Sequence, residues 1–333
     1  MATFRGALDD RSNITHIDLY NLVNPAQTFN AQSLSTMRYA VFVTGPAGAG
    51  KSTFCSALIT HAQTLKRTIH YVNLDPAATN FDYEPSVDIK DLIDLQDVMD
   101  ELEFGPNGGL VYCFEYLLNN LDWLDEELGS FEDDYLLIDC PGQIELYTHI
   151  PLLPRLVSHL ANSSLQFRVS AVYLLESQFI QADKPKFFAG VMSAMSCMMS
   201  LGCSMICLMS KMDLIKSSGG GTGKGIRGQH KIGKEIGRYL DPDPMLLLED
   251  INQDTNPKFH ALNQAIVDLI QDNNLVSFLP LDVTDEDSVN SALSHIDNAM
   301  QYGEDEEPKM PNDMEEGMYT LSMPSHRLNQ AEG

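Results

Sequence analysis

Short apolar runs alternate along the chain with longer segments in which apolar residues recur every three or four positions. Such runs predict strands buried on both faces, and the periodic segments predict helices packed against them. This alternation predicts an α/β fold, with a mostly parallel sheet and helices on both faces. The predicted strands are Tyr39–Val43, Thr68–Leu74, Tyr135–Asp139, Phe167–Leu175, Ser204–Met209 and Val276–Leu281. The predicted helices are Thr53–Leu65, Asp91–Glu103, Leu110–Leu128, Phe187–Leu201, Ile232–Leu240, Phe259–Gln271 and Asp287–Tyr302.

Three parts of the chain follow neither pattern. Residues 1–37 are polar and aperiodic, which predicts a disordered extension or a start site placed too early, with Met37 as the working initiator. Residues 217–228 are rich in Gly, Ser and Thr and predict a flexible insertion; no strand precedes their Gly-Lys pair, so a second phosphate loop is disfavoured. Residues 303–333 are acidic and aperiodic and predict a disordered tail. One folded domain over residues 38–302 is therefore expected.

The first predicted strand leads into the pattern Gly, four residues, Gly-Lys-Ser, which runs from Gly45 to Ser52 and precedes a predicted helix. Strand, glycine loop and helix are the context of a phosphate-binding loop, and a ligand-free Gly-rich turn is the weaker alternative. Lys51 would reach the β- and γ-phosphates, and the Ser52 hydroxyl would ligate Mg²⁺. The backbone N–H groups at the helix start would bind the β-phosphate. These groups belong to Gly48, Ala49, Gly50, Lys51, Ser52 and Thr53.

Two further predicted strands end in carboxylates. Asp139 is followed by Cys-Pro, then by Gly142 and Gln143. In phosphate-loop enzymes an Asp at this point holds Mg²⁺ through water, the Gly offers its N–H to the γ-phosphate, and the Gln orients the attacking water. Asp75 ends the second strand and is placed to hold Mg²⁺ or its waters, although it could simply begin the turn at Pro76.

A base-reading motif follows the fifth predicted strand at Ser210, Lys211, Met212 and Asp213. The Asp213 carboxylate can accept two hydrogen bonds from the N1–H and N2–H₂ groups of guanine, and adenine presents no such pair of donors. The pattern therefore predicts GTP as the nucleotide. The motif usually begins with Asn or Thr, and Ser210 is a small hydroxylic variant that leaves the carboxylate in place.

Charge and cysteine content narrow the class of partner. The chain has 333 residues, with 47 acidic and 21 basic side chains and a formal net charge of −26. Such a surface repels nucleic acid and anionic membranes and favours basic partners. The six cysteines form no Cys-x-x-Cys pair, and most lie in apolar segments as reduced thiols do, which predicts a cytosolic or nuclear protein. No apolar run reaches the length of a membrane span.

These motifs, together with the exposed loop Gly105–Asn107, make the sequence resemble the GPN-loop GTPases from Met37 to about Tyr302. The resemblance implies a P-loop NTPase architecture with an inserted helical segment around that loop. Within the family, three stretches make the chain most similar to the third and smallest eukaryotic paralogue. They are Glu132–Tyr135, Leu240–Asp243 and Gln301–Asp305.

The resemblance also implies a mechanism. The family is dimeric, and the Gly-Pro-Asn loop of one subunit enters the active site of the other, which would place Asn107 on the γ-phosphate in trans. Asp75, Gln143 and Glu145 would position the attacking water, with Asp139 at Mg²⁺. Related dimeric phosphate-loop proteins often have a Lys where this chain has Ala47, so another group must act in trans. Read without the family, Asn107 is only a turn residue.

The resemblance further implies partners. Eukaryotic members are linked to cytoplasmic assembly and nuclear import of RNA polymerase II, and the third paralogue pairs with the first. A heterodimer is the expected form, a homodimer remains possible, and passage into the nucleus would depend on partners because no basic import signal is visible.

Other functions stay open on the sequence. An interaction module with a mainly structural nucleotide would retain GTP or GDP without appreciable turnover. A small-molecule kinase on the same fold would need basic residues around a second phosphate, and the acidic stretch 91–103 argues against it. A metal-delivery GTPase would need a Cys/His cluster, which the sequence lacks.

Overall fold

A computed structural model describes residues 37–129, 135–148, 150–162, 166–179, 184–218, 240, 248–249, 252–253, 255–273 and 276–304. Residues 1–36, most of the predicted insertion, the tail beyond residue 304 and the predicted helix at 232–240, except Leu240, lie outside the described residues. Ser217 and Ser218, which were assigned to the flexible insertion, instead close a helix that starts at Met212. Within the described part of the chain, no helix has the length and apolar character needed to span a membrane.

Seven parallel strands form one sheet in the order β3-β2-β4-β1-β5-β6-β7. The predicted α/β fold with a parallel sheet is thereby confirmed. The two-residue strand β3 was not predicted, because so short a segment carries no measurable alternation. The strands are β1 Arg38–Thr44, β2 His70–Asn73, β3 Val87–Asp88, β4 Tyr135–Asp139, β5 Phe167–Glu176, β6 Ser204–Ser210 and β7 Phe278–Pro280.

Ten described α-helices accompany the sheet, together with 3₁₀ turns at Ile89–Asp91 and Pro257–Phe259. Three of them, α5, α6 and α8, were not predicted. The helices are α1 Lys51–Thr64, α2 Leu95–Leu102, α3 Pro106–Asn119, α4 Leu121–Leu128, α5 Glu145–Thr148, α6 Leu152–Asn162, α7 Lys184–Leu201, α8 Met212–Ser218, α9 His260–Asn273 and α10 Glu286–Met300.

The two faces of the sheet bury separate hydrophobic clusters, since successive strand side chains point in opposite directions. On one face, Val41 and Val43 pack with apolar residues of α1 and α10. On the other, Ala40 and Phe42 pack with residues of α3, α4, α6 and α7. Helices therefore cover both faces, as the continuous apolar strands predicted. Leu65, the last residue of the first predicted helix, lies one residue beyond the end of α1 and is 49% exposed.

The segment around the Gly-Pro-Asn sequence differs most from the prediction. The predicted loop 104–109 is largely helical, because α3 begins at Pro106 with Gly105 as its N-cap. Pro suits the first helical position, where its missing N–H has no partner to lose. Gly109 is buried, and a Cβ there would lie 2.8 Å from Leu95, so the glycine permits α2 and α3 to approach closely. The predicted single helix Leu110–Leu128 is also broken, at Asn120.

Candidate nucleotide site

The loop between β1 and α1 has the backbone of a phosphate-binding loop. Gly45, Gly48 and Gly50 have φ values of 134°, 80° and 86°, which side-chain-bearing residues rarely adopt. Gly50 caps α1, so the N–H groups of Lys51 and Ser52 lie in the first helical turn. These unpaired donors and the helix dipole favour an anion at this point. The structure thus places the predicted residues Gly48 to Thr53 at a helix start, two residues earlier than the predicted helix.

Lys51 is 8% exposed and lies over the loop. Its Nζ donates to the carbonyl oxygen of Gly45 at 3.2 Å and lies 3.5 Å from that of Pro46. A lysine held by two carbonyl oxygens keeps its charge near the loop and can exchange these acceptors for phosphate oxygens. The side chain is therefore placed for its predicted role.

Asp139 connects the end of β4 to this loop. Its Oδ2 accepts a 2.6 Å hydrogen bond from Ser52 Oγ and a 3.2 Å bond from the Tyr71 hydroxyl. Its Oδ1 is buried and has no hydrogen-bond partner in the described part of the chain. Burial is the main cause of a raised pKa for this carboxyl, which the Ser52 bond and the Lys51 charge oppose.

These features fit a magnesium ion. Mg²⁺ prefers oxygen ligands and is usually held by one or two protein groups together with phosphates and water. The unpartnered Asp139 Oδ1 is a buried acceptor beside the Ser52 hydroxyl, and a cation there would compensate its charge. Ser52 and Asp139 are the residues that would hold the ion.

The strand-end segment after Asp139 also touches the phosphate loop. A Cβ on Gly142 would lie 2.8 Å from Ala47 Cα and 2.9 Å from Ala47 Cβ, so only a glycine permits this approach. Gln143 follows in the same turn, and Glu145 is the exposed first residue of α5. The segment after Asp139 thus packs directly against the phosphate loop, and its contact with the phosphates remains a prediction.

Asp75 lies at the end of β2, close enough for its charge to contribute to the raised pKa of Asp139, after burial as the main cause. Its Oδ1 accepts a 2.9 Å hydrogen bond from the Ala77 N–H, which closes the turn at Pro76. The two sequence readings of Asp75, as a turn residue and as a carboxylate near the metal, are therefore compatible.

The base-reading motif reaches the same edge of the sheet. Ser210, at the end of β6, donates from Oγ to the Ala49 carbonyl oxygen at 2.7 Å. The variant serine thus ties the motif to the phosphate loop. Lys211 follows with φ of 58°, and α8 then begins at buried Met212, with Asp213 in its first turn.

Asn107 lies in a helix other than the one that follows the phosphate loop. It is exposed in the first turn of α3, and among the described residues its side chain makes no hydrogen bond to the phosphate loop. The helices of this segment pack on one another and on α6, through Leu110 and Phe114 among others. The structure therefore provides an exposed position for Asn107 on a packed helix.

Sequence reasoning missed Tyr71, Glu176 and Ser177. Tyr71 lies in β2 and donates to Asp139. Glu176 is the last residue of β5, Ser177 follows it, and both contact Lys211. Alternation along β2 would have identified Tyr71 as buried, but only the pairing of β2 with β4 brings its hydroxyl to Asp139. No local signal distinguishes Glu176 and Ser177 from ordinary strand-end residues.

This arrangement of strand, loop, helix and strand-end aspartates is that of a P-loop nucleotide-binding protein. Residues 43–302 match a family model described as "Conserved hypothetical ATP binding protein". The chain is 64% identical to "GPN-loop GTPase 3" of Mycosarcoma maydis, with 85% of this chain and 99% of that protein covered. It is 53% identical to the Saccharomyces cerevisiae protein of the same name, covering 83% and 97% respectively.

A solved structure shares the fold. A GTPase in apo form from Pyrococcus abyssi is similar with a TM-score of 0.62 and 22% sequence identity, covering 78% of this chain and 97% of that chain. The relatives and the family model together show that the chain belongs to the GPN-loop GTPase family. The resemblance found in the motifs is confirmed.

Proposed function

We propose that this chain, a GTP hydrolase of the GPN-loop family, binds GTP with Mg²⁺ and acts as a nucleotide-driven assembly factor for RNA polymerase II and its nuclear import. The observation that carries the nucleotide assignment is the 2.7 Å bond from Ser210 Oγ to the Ala49 carbonyl. This bond joins the base-reading motif to the phosphate loop, so Asp213 and the phosphate site can engage one nucleotide. The Asp213 carboxylate favours guanine over adenine, although the matching family model is described as ATP-binding.

The residues around the phosphates have three roles: they bind the phosphates, hold the metal ion and orient the attacking water. Lys51 and the loop N–H groups bind the phosphates, and Gly142 offers a backbone N–H to the γ-phosphate. A Mg²⁺ ion at Ser52 and Asp139 would supply positive charge to the phosphate oxygens. Asp75, Gln143 and Glu145 orient the attacking water.

Asn107 completes the site from a second subunit. Its exposed position on a packed helix, without a hydrogen bond to its own phosphate loop, favours action across an interface. An amide N–H₂ held rigidly where charge develops stabilises that charge without reorganising in the reaction. Ala47 leaves the third position of the loop without a cation of its own, which favours a donor in trans.

The proposed partners follow from the family. The working form is a heterodimer with the first GPN-loop paralogue, with a homodimer as the alternative, and the clients are RNA polymerase II subunits or their assembly factors. The protein is cytoplasmic and enters the nucleus with its partners. Its net charge of −26 favours basic client surfaces over nucleic acid or anionic membrane.

The deciding experiment is steady-state GTP hydrolysis against protein concentration, for this chain alone and with the paralogue. Specific activity that rises with concentration, or on adding the paralogue, is expected if the site is completed across a dimer. Negligible turnover in both preparations, with nucleotide tightly bound, would instead favour an interaction module in which the nucleotide is structural.

Asn107→Ala tests the trans contact directly. The variant is expected to bind GTP like the parent and to hydrolyse it roughly a hundredfold more slowly, the usual cost of losing one donor to developing charge. Asn119→Ala is the matched control, since Asn119 is exposed at the other end of α3. Equal turnover in the two variants would refute the role of Asn107.

A further inference from the structure

We propose that Glu176 and Ser177, which follow one another at the end of β5, are positioning residues for guanine recognition. Neither is a predicted ligand of the nucleotide. Both contact Lys211, the residue between the strand-end serine and the base-reading carboxylate. The inference rests on the proposed guanine site and adds the residues that hold it in shape.

Three contacts join this pair to the motif. The Ser177 N–H donates to the Ser210 carbonyl oxygen at 2.9 Å. The Ser177 hydroxyl donates to the Lys211 carbonyl oxygen at 2.7 Å, and Ser177 is fully buried. Lys211 Nζ donates to Glu176 Oε1 at 2.9 Å. One dipeptide therefore holds both the backbone and the side chain of Lys211.

The Lys211 backbone requires such support. Its φ of 58° lies in the left-handed region, which is unfavourable for a residue with a side chain. Strained residues of this kind persist only where surrounding contacts determine them, and they concentrate at functional sites. The Lys211 carbonyl oxygen accepts the Ser177 hydroxyl bond and a second bond, at 3.2 Å, from the Leu214 N–H of α8, so the hydroxyl is the donor that reaches this turn from the β5 side. Loss of the hydroxyl would allow the turn to relax and carry Asp213 with it.

The residues on either side of Lys211 are held by other hydrogen bonds. The Met212 N–H donates to the Leu281 carbonyl oxygen at 3.2 Å, after β7. Ser210 is held against the phosphate loop by its own hydroxyl. Lys211 lies between these two anchors, and Ser177 restrains it from the β5 side.

The ion pair between Lys211 and Glu176 restrains the lysine side chain. The Lys211 and Glu176 side chains are 35% and 18% exposed, so the pair is partly screened by solvent. The ion pair orients the Lys211 side chain more than it adds binding energy. An ammonium paired at this point lies beside the base site instead of extending into solvent.

The chain contains a matched control at the other end of the same strand. Ser170 is also fully buried in β5, and its Oγ donates to the Ser204 carbonyl oxygen of β6 at 3.1 Å. Ser170→Ala and Ser177→Ala therefore each remove one bond from a buried serine to a carbonyl oxygen, the first between β5 and β6 and the second between the residues that directly follow these two strands. Only the second bond supports the base-reading turn.

The experiment uses the full chain, with its paralogue if turnover requires it, and compares the parent with Ser177→Ala, Ser170→Ala, Glu176→Gln and Asp213→Asn. The measurements are kcat and KM for GTP, the inhibition constants of GDP and ADP, and the unfolding temperature. Ser177→Ala is expected to raise KM for GTP about three- to tenfold, the range for one lost hydrogen bond, with kcat within about twofold of the parent. Its preference for GDP over ADP should fall by a similar factor.

Ser170→Ala should lower the unfolding temperature as Ser177→Ala does but leave KM and the GDP preference unchanged. Glu176→Gln should raise KM about two- to threefold without a matching loss of stability. Should Ser177→Ala and Ser170→Ala instead give the same KM while Asp213→Asn loses the guanine preference, the positioning role is wrong and the guanine site stands. If Asp213→Asn retains the guanine preference, the base is read elsewhere, and both the guanine assignment and the positioning role fail.

Discussion

Gly142→Ala tests the contact between the two loops that would surround the γ-phosphate. The added Cβ would lie 2.8 Å, 2.9 Å and 3.0 Å from Ala47 Cα, Cβ and N. Two of these atoms belong to the backbone, so no side-chain rotation can relieve the overlap. The phosphate loop or the segment after Asp139 has to move.

The expected loss of stability in Gly142→Ala follows from the cost of overpacking. Overpacking a well-filled site by one methyl costs about 1–3 kcal/mol, and for a domain of this size each kcal/mol corresponds to about 2–4 °C in Tm. The nucleotide-free variant should therefore unfold roughly 2–12 °C below the parent. Gly108→Ala is the control for stability, since its Cβ would lie 3.8 Å from the nearest atom in a helix, where Ala is favoured over Gly by about 0.5–1 kcal/mol.

The assays are thermal unfolding, GTP hydrolysis, and binding of GDP and a non-hydrolysable GTP analogue. The analogue should lose more affinity than GDP, because the Gly142 N–H is expected to meet the γ-phosphate. A variant with the parent's Tm and the parent's turnover would refute the reasoning, since the two loops could not then be in contact.

Three other changes test the same site. Lys51→Ala should abolish nucleotide binding in a titration with fluorescent GDP, and unchanged affinity would overturn the phosphate-loop assignment. Tyr71→Phe removes the 3.2 Å donor to Asp139 and should raise the Mg²⁺ concentration for half-maximal turnover by about three- to tenfold, the effect of one hydrogen bond. An unchanged Mg²⁺ titration would mean that Tyr71 does not orient this carboxylate. The raised pKa of Asp139 means that the nucleotide-free native state binds more protons than the unfolded one, so stability should fall as pH rises from the ordinary Asp pKa through the raised value. Asp139→Asn should remove this slope in the pH dependence of urea unfolding, and a slope that persists would place its origin in another group.

Most of the sheet could be predicted from local pattern. Six of the seven described strands overlap largely apolar segments, which can be identified without knowledge of their neighbours in the sheet. Helix boundaries were less predictable. Pro106, Gly108 and Gly109 are typical of a loop, and their helical conformation depends on close packing between α2 and α3. The helices α5, α6 and α8 were likewise not predicted, because they are short or lack a helix-start motif in the sequence.

The site also contains residues that the sequence predicted and residues that it did not. The phosphate loop, Asp139 and Asp213 were predicted because each motif is a short pattern with a known chemical use. Their predicted ligand roles remain predictions. Tyr71 and Ser177 were not predicted, because a tyrosine within a strand and a serine after one are common and carry no spacing signal.

The sequence by itself determined the class of fold, the phosphate loop and the family, since these depend on residues close together in the chain. Only the tertiary structure decided which distant residues support them. Tyr71 reaches Asp139 across 68 positions, and Ser210 reaches Ala49 across 161. Such contacts depend on the order of strands in the sheet, which follows from how both apolar faces are covered at once. A local pattern specifies that a strand is buried, but it does not specify its neighbour.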